Sequence, residues 1–290
     1  MHAQRALLDD GRWHFQHGPI DLVIGADGDA GALSAAHDAA WQRFQTVLPE
    51  LVAELPTLRM PVRGPCPLQG VVARRMWNAC RPHHSAFITP MAAVAGSVAQ
   101  ELIGCYARDG VNRAWVNNGG DIALHLAPGA SVRVGLFADL ARLDPTDIGV
   151  DGHFDVRHAM PVRGVATSGW RGRSFSLGIA DSVTVLARTA AQADAAATMI
   201  ANAVNVLDAR IRRAPANTLK DDSDLGEIAV TVDVPPLPVE LVQRALTAGQ
   251  RRARELQRDG LIHAAVLVCQ SAWLRVSAET PQTEVGSVFA

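Results

Sequence analysis

The chain has 290 residues, of which 48% are hydrophobic, and its formal net charge is −2 at pH 7. This balance predicts a folded globular protein with a large core and gives no support for a nucleic-acid surface. Lys220 is the single lysine, which argues against a Schiff-base or phosphate-loop lysine.

The cysteines and the N-terminus predict a cytoplasmic location without a membrane segment. The four cysteines are scattered without a CxxC pair, which favours reduced thiols over a disulfide framework or a zinc site. The first residues lack the apolar stretch of a signal peptide. No segment reaches the roughly 20 apolar residues of a membrane helix.

The first half of the chain predicts strands and helices in mixed order. Residues 13–24 predict strand, turn and strand around Gly18-Pro19, and residues 30–55 predict an amphipathic helix broken near Pro49. A loop over 58–67 and a short helix over 71–79 follow. Residues 87–108 predict a helix that is rich in small residues and opens at Thr89-Pro90.

The second half continues the same mixture. Strands are predicted up to 116, over 122–126 and over 131–137, followed by a loop over 150–160. Further strands are expected over 182–187 and 228–232, with helices over 189–207 and 238–259. A final hairpin joins 262–268 to 273–276. Because strands and helices do not alternate regularly, we expect an α+β fold with antiparallel sheets and packed helices, in one intertwined domain spanning 1–290.

The first candidate site is the segment Asn117-Asn118-Gly119-Gly120-Asp121, which lies between two predicted strands. Its glycines allow positive φ angles, so consecutive N–H groups can turn towards an anion. The same letters are typical of a tight hairpin turn that holds no ligand. Both interpretations stay open at this level.

The second candidate is residues 164–181, GVATSGWRGRSFSLGIAD. Thr167 and Ser168 offer hydroxyl groups, and Arg171 and Arg173 offer guanidinium groups that suit a phosphate or pyrophosphate. A polar surface loop is the alternative.

The third candidate is residues 193–198, ADAAAT. Asp194 and Thr198 are four residues apart, so a helix places them on one face, where they suit Mg²⁺. The alternative is an acidic residue that favours the helix dipole.

Together and in this order, these segments resemble the ApbE superfamily, and more closely its UPF0280 branch. The resemblance covers nearly the whole chain and rests on the following segments: HGPIDLVI, TPMAAVAGSVA, NNGGDIAL, GVATSGWRGRSFSLGIADSVTVLA, ADAAATMIANAV and DSDLG. Better-known ApbE proteins are Mg²⁺-dependent flavin transferases that split FAD and place FMN on a partner protein, or hydrolyse FAD.

The resemblance implies FAD or FMN and Mg²⁺ as cofactors, a flavin or related nucleotide as ligand, and a protein acceptor. Asp194 and Thr198 match the metal-binding positions. Gly119, Gly120 and Asp121 match the nucleotide-binding loop, and Thr167 and Ser168 match the family's TSG segment; with Asn118 we expect them to bind the cofactor. The predicted catalytic residues are Arg171, Arg173 and Asp181. Asp181 stands in for a family aspartate. The small-residue helix and the hairpins make a homodimer plausible.

The sequence also departs from the family pattern. Ala95 occupies the place of a family lysine and Gln100 that of an aspartate, and the family's histidine segment is absent. Two hypotheses follow. The protein is either a Mg²⁺-dependent flavin transferase or FAD pyrophosphatase, or it binds a flavin or pterin without chemistry, as an assembly protein in cofactor biosynthesis.

Overall fold

The structure is a computed structural model that describes residues 2–136, 152–270, 272–277 and 285–287. These residues form two compact units, and each unit combines separate stretches of chain. The first unit takes residues up to 133, 155–166 and 187–195, and the second takes the remaining described residues. A single domain spanning 1–290 therefore stays a prediction.

The first unit is built on antiparallel strands that follow one another across a sheet. Its strands are β1 (Gln4–Leu7), β2 (Trp13–His17), β3 (Ile20–Gly28), β4 (Val111–Asn118), β5 (Asp121–Leu126), β6 (Ser131–Leu136), β7 (Gly152–Arg157) and β8 (Gly164–Ser168), of which β6 to β8 extend beyond the unit. The sheet order is β1-β2-β3-β4-β5-β8. Ile20, Leu22 and Ile24 alternate into the core along β3, as a strand with one buried face requires.

The helices of the first unit begin with a long amphipathic one. They are α1 (Ala30–Ala53), α2 (Leu55–Leu58), α3 (Val71–Cys80) and α4 (Val94–Ile103). The buried residues of α1 recur every three or four positions and include Ala40, Phe44 and Val47. The predicted break at Pro49 is wrong, because α1 continues to Ala53. Pro49 is exposed, so the carbonyl that it leaves without a helical donor can bind water.

Two local predictions are wrong, because contacts with other segments outweigh the preferences of the local sequence. The helix expected to open at Thr89-Pro90 begins instead as a 3₁₀ turn over Pro90–Ala93, and α4 starts only at Val94. The loop expected over 150–160, of which 150 and 151 lie outside the described residues, contains strand β7. β7 pairs with β6 in a two-stranded sheet, and Arg133 Nε and Asp155 Oδ1 form an exposed ion pair of 3.0 Å between them. Pairing rather than hydrophobic pattern therefore defines this strand.

The second unit combines a second set of antiparallel strands with one long helix. Its elements are β9 (Ser182–Ala187), α5 (Ala190–Ala203, which begins in the first unit), β10 (Arg212–Pro215), α6 (Ala216–Leu219), β11 (Ala229–Asp233), α7 (Val239–Arg258), β12 (Ala264–Cys269), β13 (Ala272–Val276) and β14 (Val285–Ser287). Strand order within the unit is β9-β12-β13-β14, and β10 pairs with β11. Every residue of β9 is buried.

Mixed helices and antiparallel strands confirm the predicted α+β class. In the part of the chain that the structure describes, no helix is both long and apolar enough to cross a membrane.

Candidate functional site

The segment Asn117–Asp121 forms the tight hairpin turn between β4 and β5. Asn118 pairs with Asp121 across the ladder, and Gly119 and Gly120 have φ angles of 65° and 109°. Positive φ at both central positions is the reason that two glycines stand here. The N–H of Gly120 donates to Asn117 Oδ1 at 2.8 Å, so the turn itself uses one of the donors that an anion would need.

Asn118 connects this hairpin to the small-residue helix. Its side chain is buried, and Nδ2 donates to the carbonyl oxygen of Ala95 at 3.1 Å. Asp121 is also buried, with 9% of its surface exposed. The hairpin therefore directs both predicted binding residues into the first unit, next to the start of α4 for Asn118.

Asp194 lies on α5 and closes the other side of the α4 start. Its Oδ2 accepts the N–H of Gly96 at 2.9 Å, and the N–H of Ala95 also donates to the carboxyl group. These are the third and second residues of α4, whose N-terminal neighbour Ala93 has no side chain that can cap it. Asp194 thus supplies from a distant segment the acceptor that a capping residue usually provides.

Helices α4 and α5 cap each other, because each provides a side-chain acceptor for backbone N–H groups at the start of the other. Gln100 of α4 accepts the N–H of Ala191 at the start of α5, at 3.3 Å. Between these two bonds the backbones almost touch, because a Cβ atom at Gly96 would lie 2.4 Å from the carbonyl oxygen of Ala190. Close approach explains why the α4 sequence is rich in small residues. The sequence alone gave no signal that Gln100 has this capping role.

The charge of Asp194 is poorly compensated. Burial raises the pKa of its carboxyl group to about 7, although the N–H groups of Gly96 and Ala95 act in the opposite direction. Among the described residues, no Lys, Arg or His side chain pairs with Asp194. Asp194 is half-buried, and a carboxylate without a counter-ion in such a position can be stabilised by a bound cation.

The oxygen atoms of Asp194 and Thr198 suit a hard cation whose remaining ligands are water or phosphate oxygens. Thr198 follows Asp194 by four residues on the same helix, in the part of α5 that belongs to the second unit. Within the described ranges, no three His, Cys, Asp or Glu side chains converge as a metal-binding group. Mg²⁺ characteristically takes one or two carboxylates and completes its shell with water and phosphate oxygens.

In the second unit, Asp181 is the centre of a separate cluster. Its Oδ1 accepts the indole N–H of Trp170 at 3.2 Å and forms an ion pair with Arg171 Nε, also at 3.2 Å. The backbone N–H of Gln270 donates to its Oδ2. The structure thus joins two predicted catalytic residues, Asp181 and Arg171, in one ion pair. It also adds Trp170, to which the sequence assigned no role although a Trp-Arg pair stands out in a Gly- and Ser-rich loop.

The remaining predicted residues surround this cluster in the sequence but are not all joined to it. Thr167 Oγ1 shares a hydrogen bond of 2.9 Å with Thr184 Oγ1 on β9. Ser168 is half-buried at the end of β8, and Arg173 is exposed on the following loop. Their contacts with a ligand stay predictions.

Comparison with known proteins gives consistent matches. Residues 5–281 match the family model described as AbpE bacteria. A UPF0280 protein of Methanopyrus kandleri is 35% identical over 239 residues, which are 80% of this chain and 87% of that protein. A UPF0280 protein of Methanosphaerula palustris is 34% identical over 67% of this chain and 77% of its own length.

Among solved structures, the apo flavinyl transferase ApbE of Pseudomonas stutzeri aligns over 96% of this chain and 94% of its own, with a TM-score of 0.44 and 11% identity. From the family model and the relatives, the chain belongs to the bacterial AbpE family and to its UPF0280 group.

Proposed function

We propose that this protein binds FAD together with Mg²⁺ and cleaves the pyrophosphate bond, so that FMN is released or passed to an acceptor protein. Membership of the AbpE family supports the proposal at the level of ligand class. The observation that carries it is Asp194, a carboxylate that accepts the N–H of Gly96 at the start of α4 and has no cationic partner among the described residues.

Asp194 and Thr198 would hold the metal ion, one carboxylate and one hydroxyl group on adjacent turns of α5. When bound, Mg²⁺ would neutralise negative charge on the pyrophosphate. The N–H groups of Ala95 and Gly96 keep the carboxylate in a fixed orientation. A preorganised ligand of this kind loses little conformational entropy on binding.

The other predicted residues would act on the nucleotide. In the first unit, Gly119, Gly120 and Asp121 would contact it through the hairpin, where the absence of side chains at both glycines lets a ligand approach the backbone. Taken by itself, the second unit offers the hydroxyl groups of Thr167 and Ser168 as donors to a phosphate. Arg171 and Arg173 would supply charge-assisted donors to the same phosphate.

Incubation of the purified protein with FAD and Mg²⁺ tests the proposal. Hydrolysis consumes one water and yields FMN and AMP, whereas transfer yields AMP and a flavinylated protein. In Asp194→Asn the amide oxygen can still accept the N–H of Gly96, so the fold should survive while cation binding is lost. We expect AMP formation to fall to the no-protein background in this variant.

A matched control is Asp233→Asn, which removes an exposed carboxylate that pairs with Arg212 at 3.1 Å. It should leave AMP formation unchanged. The proposal fails if the unmodified protein forms no AMP from FAD with Mg²⁺, or if Asp194→Asn forms it at an undiminished rate while remaining folded.

A second candidate function is flavin or pterin binding without chemistry, as an assembly protein. Two observations favour it: Ala95 stands where the family has a lysine, and Gln100 serves as a helix cap where the family has an aspartate. In that case FMN or a pterin would bind saturably and raise the melting temperature equally with and without Mg²⁺, and no AMP would form.

A further inference from the structure

The loop that follows β8 holds a tryptophan in a fixed position. The backbone N–H of Trp170 donates to Ala180 O at 3.0 Å, and the indole N–H donates to Asp181 at 3.2 Å. A Cβ atom at Gly169 would lie 2.3 Å from Asp181 O, so the loop backbone lies directly on the chain at residue 181. Trp170 nevertheless stays only half-buried. Its one polar atom is satisfied inside the protein, so what it offers to the solvent is apolar ring surface.

Arg171 lies over one face of the same ring. Its Cζ lies 5.1 Å from the centre of the Trp170 ring, within cation–π range, and its Nε forms an ion pair with the Asp181 oxygen that also accepts the indole N–H. The Arg171 side chain remains about one third exposed, at 34%. One carboxylate oxygen thus sets the orientation of a planar ring and of a guanidinium group together.

Asp181 is itself held firmly. It is buried, with 6% exposure, and Gln270 donates to its second oxygen from the turn between β12 and β13. The side chain of Gln270 then bonds to Pro235 O at 2.9 Å and to the N–H of Leu237 at 3.1 Å. The tether of Trp170 and Arg171 is therefore part of the packed structure of the second unit.

From this geometry we infer that Trp170 and Arg171 form a stacking and phosphate contact for a planar heteroaromatic nucleotide, and that Asp181 is their positioning residue. The inference rests on the proposed function and concerns the second unit by itself. The apolar ring surface takes the heterocycle, and the guanidinium group takes an adjacent phosphate. Exposed Arg173 and Ser174 on the same loop add to the attraction for an anion.

A rigid aromatic platform is a favourable contact for such a ligand. Stacking of a base on an aromatic side chain typically changes affinity by about tenfold or more. Since Trp170 is already fixed by two hydrogen bonds, little side-chain entropy is lost when the ligand binds. The Arg171 guanidinium is likewise oriented before binding.

Fluorescence titration of the full-length protein with FMN, riboflavin and ADP tests the inference. A flavin that stacks on Trp170 quenches its emission, so Trp170→Phe should lose a large share of the FMN-induced quenching. The dissociation constant for FMN should rise by about tenfold in Trp170→Leu and by less in Trp170→Phe, which keeps a ring. Asp181→Asn should weaken FMN binding and reduce the quenching at saturation, while far-UV circular dichroism stays unchanged.

Trp41→Phe is the matched control. Trp41 is also half-buried and also carries a guanidinium group over its ring, that of Arg5 at 5.1 Å, but it lies on α1 in the first unit. This variant should bind FMN with unchanged affinity. If Trp170→Leu and Trp41→Phe bind FMN and ADP equally well, the inference is overturned.

The outcomes separate this inference from the proposed function. AMP formation from FAD with no effect of Trp170→Leu on binding would leave the proposed function standing and remove the stacking contact. Binding of ADP or FMN that depends on Trp170, without any AMP formation from FAD, would retain the contact and remove the cleavage reaction. Riboflavin, which lacks phosphate, separates the two parts of the contact, because its binding should be insensitive to Arg171→Met.

Discussion

Replacing Gly96 with alanine tests the close crossing of α4 and α5. The new Cβ atom would lie 2.4 Å from Ala190 O, 2.7 Å from the Ala190 carbonyl carbon and 2.9 Å from Asp194 Cβ. Two of these atoms belong to backbone, so the helices must move apart. Overpacking of this kind costs about 1–3 kcal/mol or more, against a gain of about 1 kcal/mol from the better helix propensity of alanine. Because the closest contacts are with backbone atoms, we expect the cost at the upper end of this range and a net loss of about 1–2 kcal/mol.

Urea denaturation followed by circular dichroism measures this difference through the transition midpoint. Gly104→Ala is the control, because no atom lies within 4 Å of the Cβ position there and its φ of −57° suits any residue. It should change stability by less than about 0.5 kcal/mol. If Gly96→Ala is as stable as Gly104→Ala, the deduced approach of α4 to Ala190 is incorrect.

Two further predictions concern Asp194 and Tyr106. Because burial raises the pKa of Asp194 from 3.8 to about 7, its protonated form contributes stability that is fully present below pH 3.8 and is lost as the pH rises through 7. In Mg²⁺-free buffer the Asp194→Asn variant should not lose this stability. Between pH 4 and pH 8 its free energy of unfolding should rise by up to about 4 kcal/mol relative to that of the parent protein. Unfolding midpoints of the two proteins that run parallel with pH would contradict the assignment. Tyr106→Phe removes a hydroxyl that shares a hydrogen bond of 2.7 Å with His37 Nδ1 in a fully buried position. It should cost about 1–2 kcal/mol in urea denaturation, and an unchanged midpoint would show that the bond contributes nothing.

Local chemistry made several elements predictable. The β2–β3 hairpin follows from Gly18, whose φ of 58° suits a glycine, between two alternating strands. Helix α1 follows from apolar residues at helical spacing, and the β4–β5 turn from the Asn117–Asp121 segment. In each case the residues that specify the structure lie within a few positions of each other.

The wrong predictions concern elements whose structure depends on segments distant in the sequence. The exposed Pro49 interrupts a hydrogen bond but not α1, because the packed face of the helix holds it on both sides. Strand β7 has a weak hydrophobic pattern and depends on its pairing with β6. Neither outcome follows from intrinsic propensity, because each is determined by segments elsewhere in the chain.

For the candidate site, the sequence identified the residue types and the structure identified their partners. Asp194 was predicted as a metal ligand from its spacing to Thr198, and that assignment stays a prediction. Its bond to Gly96 joins residues 98 positions apart. Asp181 meets Trp170 across 11 positions and Gln270 across 89.

The sequence by itself therefore determined the α+β class, the main turns and helices, and the family to which the motifs point. Only the tertiary structure decided that Asp194 and Gln100 cap each other's helices, and that Asp181 orients Trp170 and Arg171. The physical reason is the separation along the chain over which each interaction acts. Propensity and turn chemistry act over a few residues, whereas the desolvation of Asp194 and the partners of Asp181 exist only after distant segments have packed together.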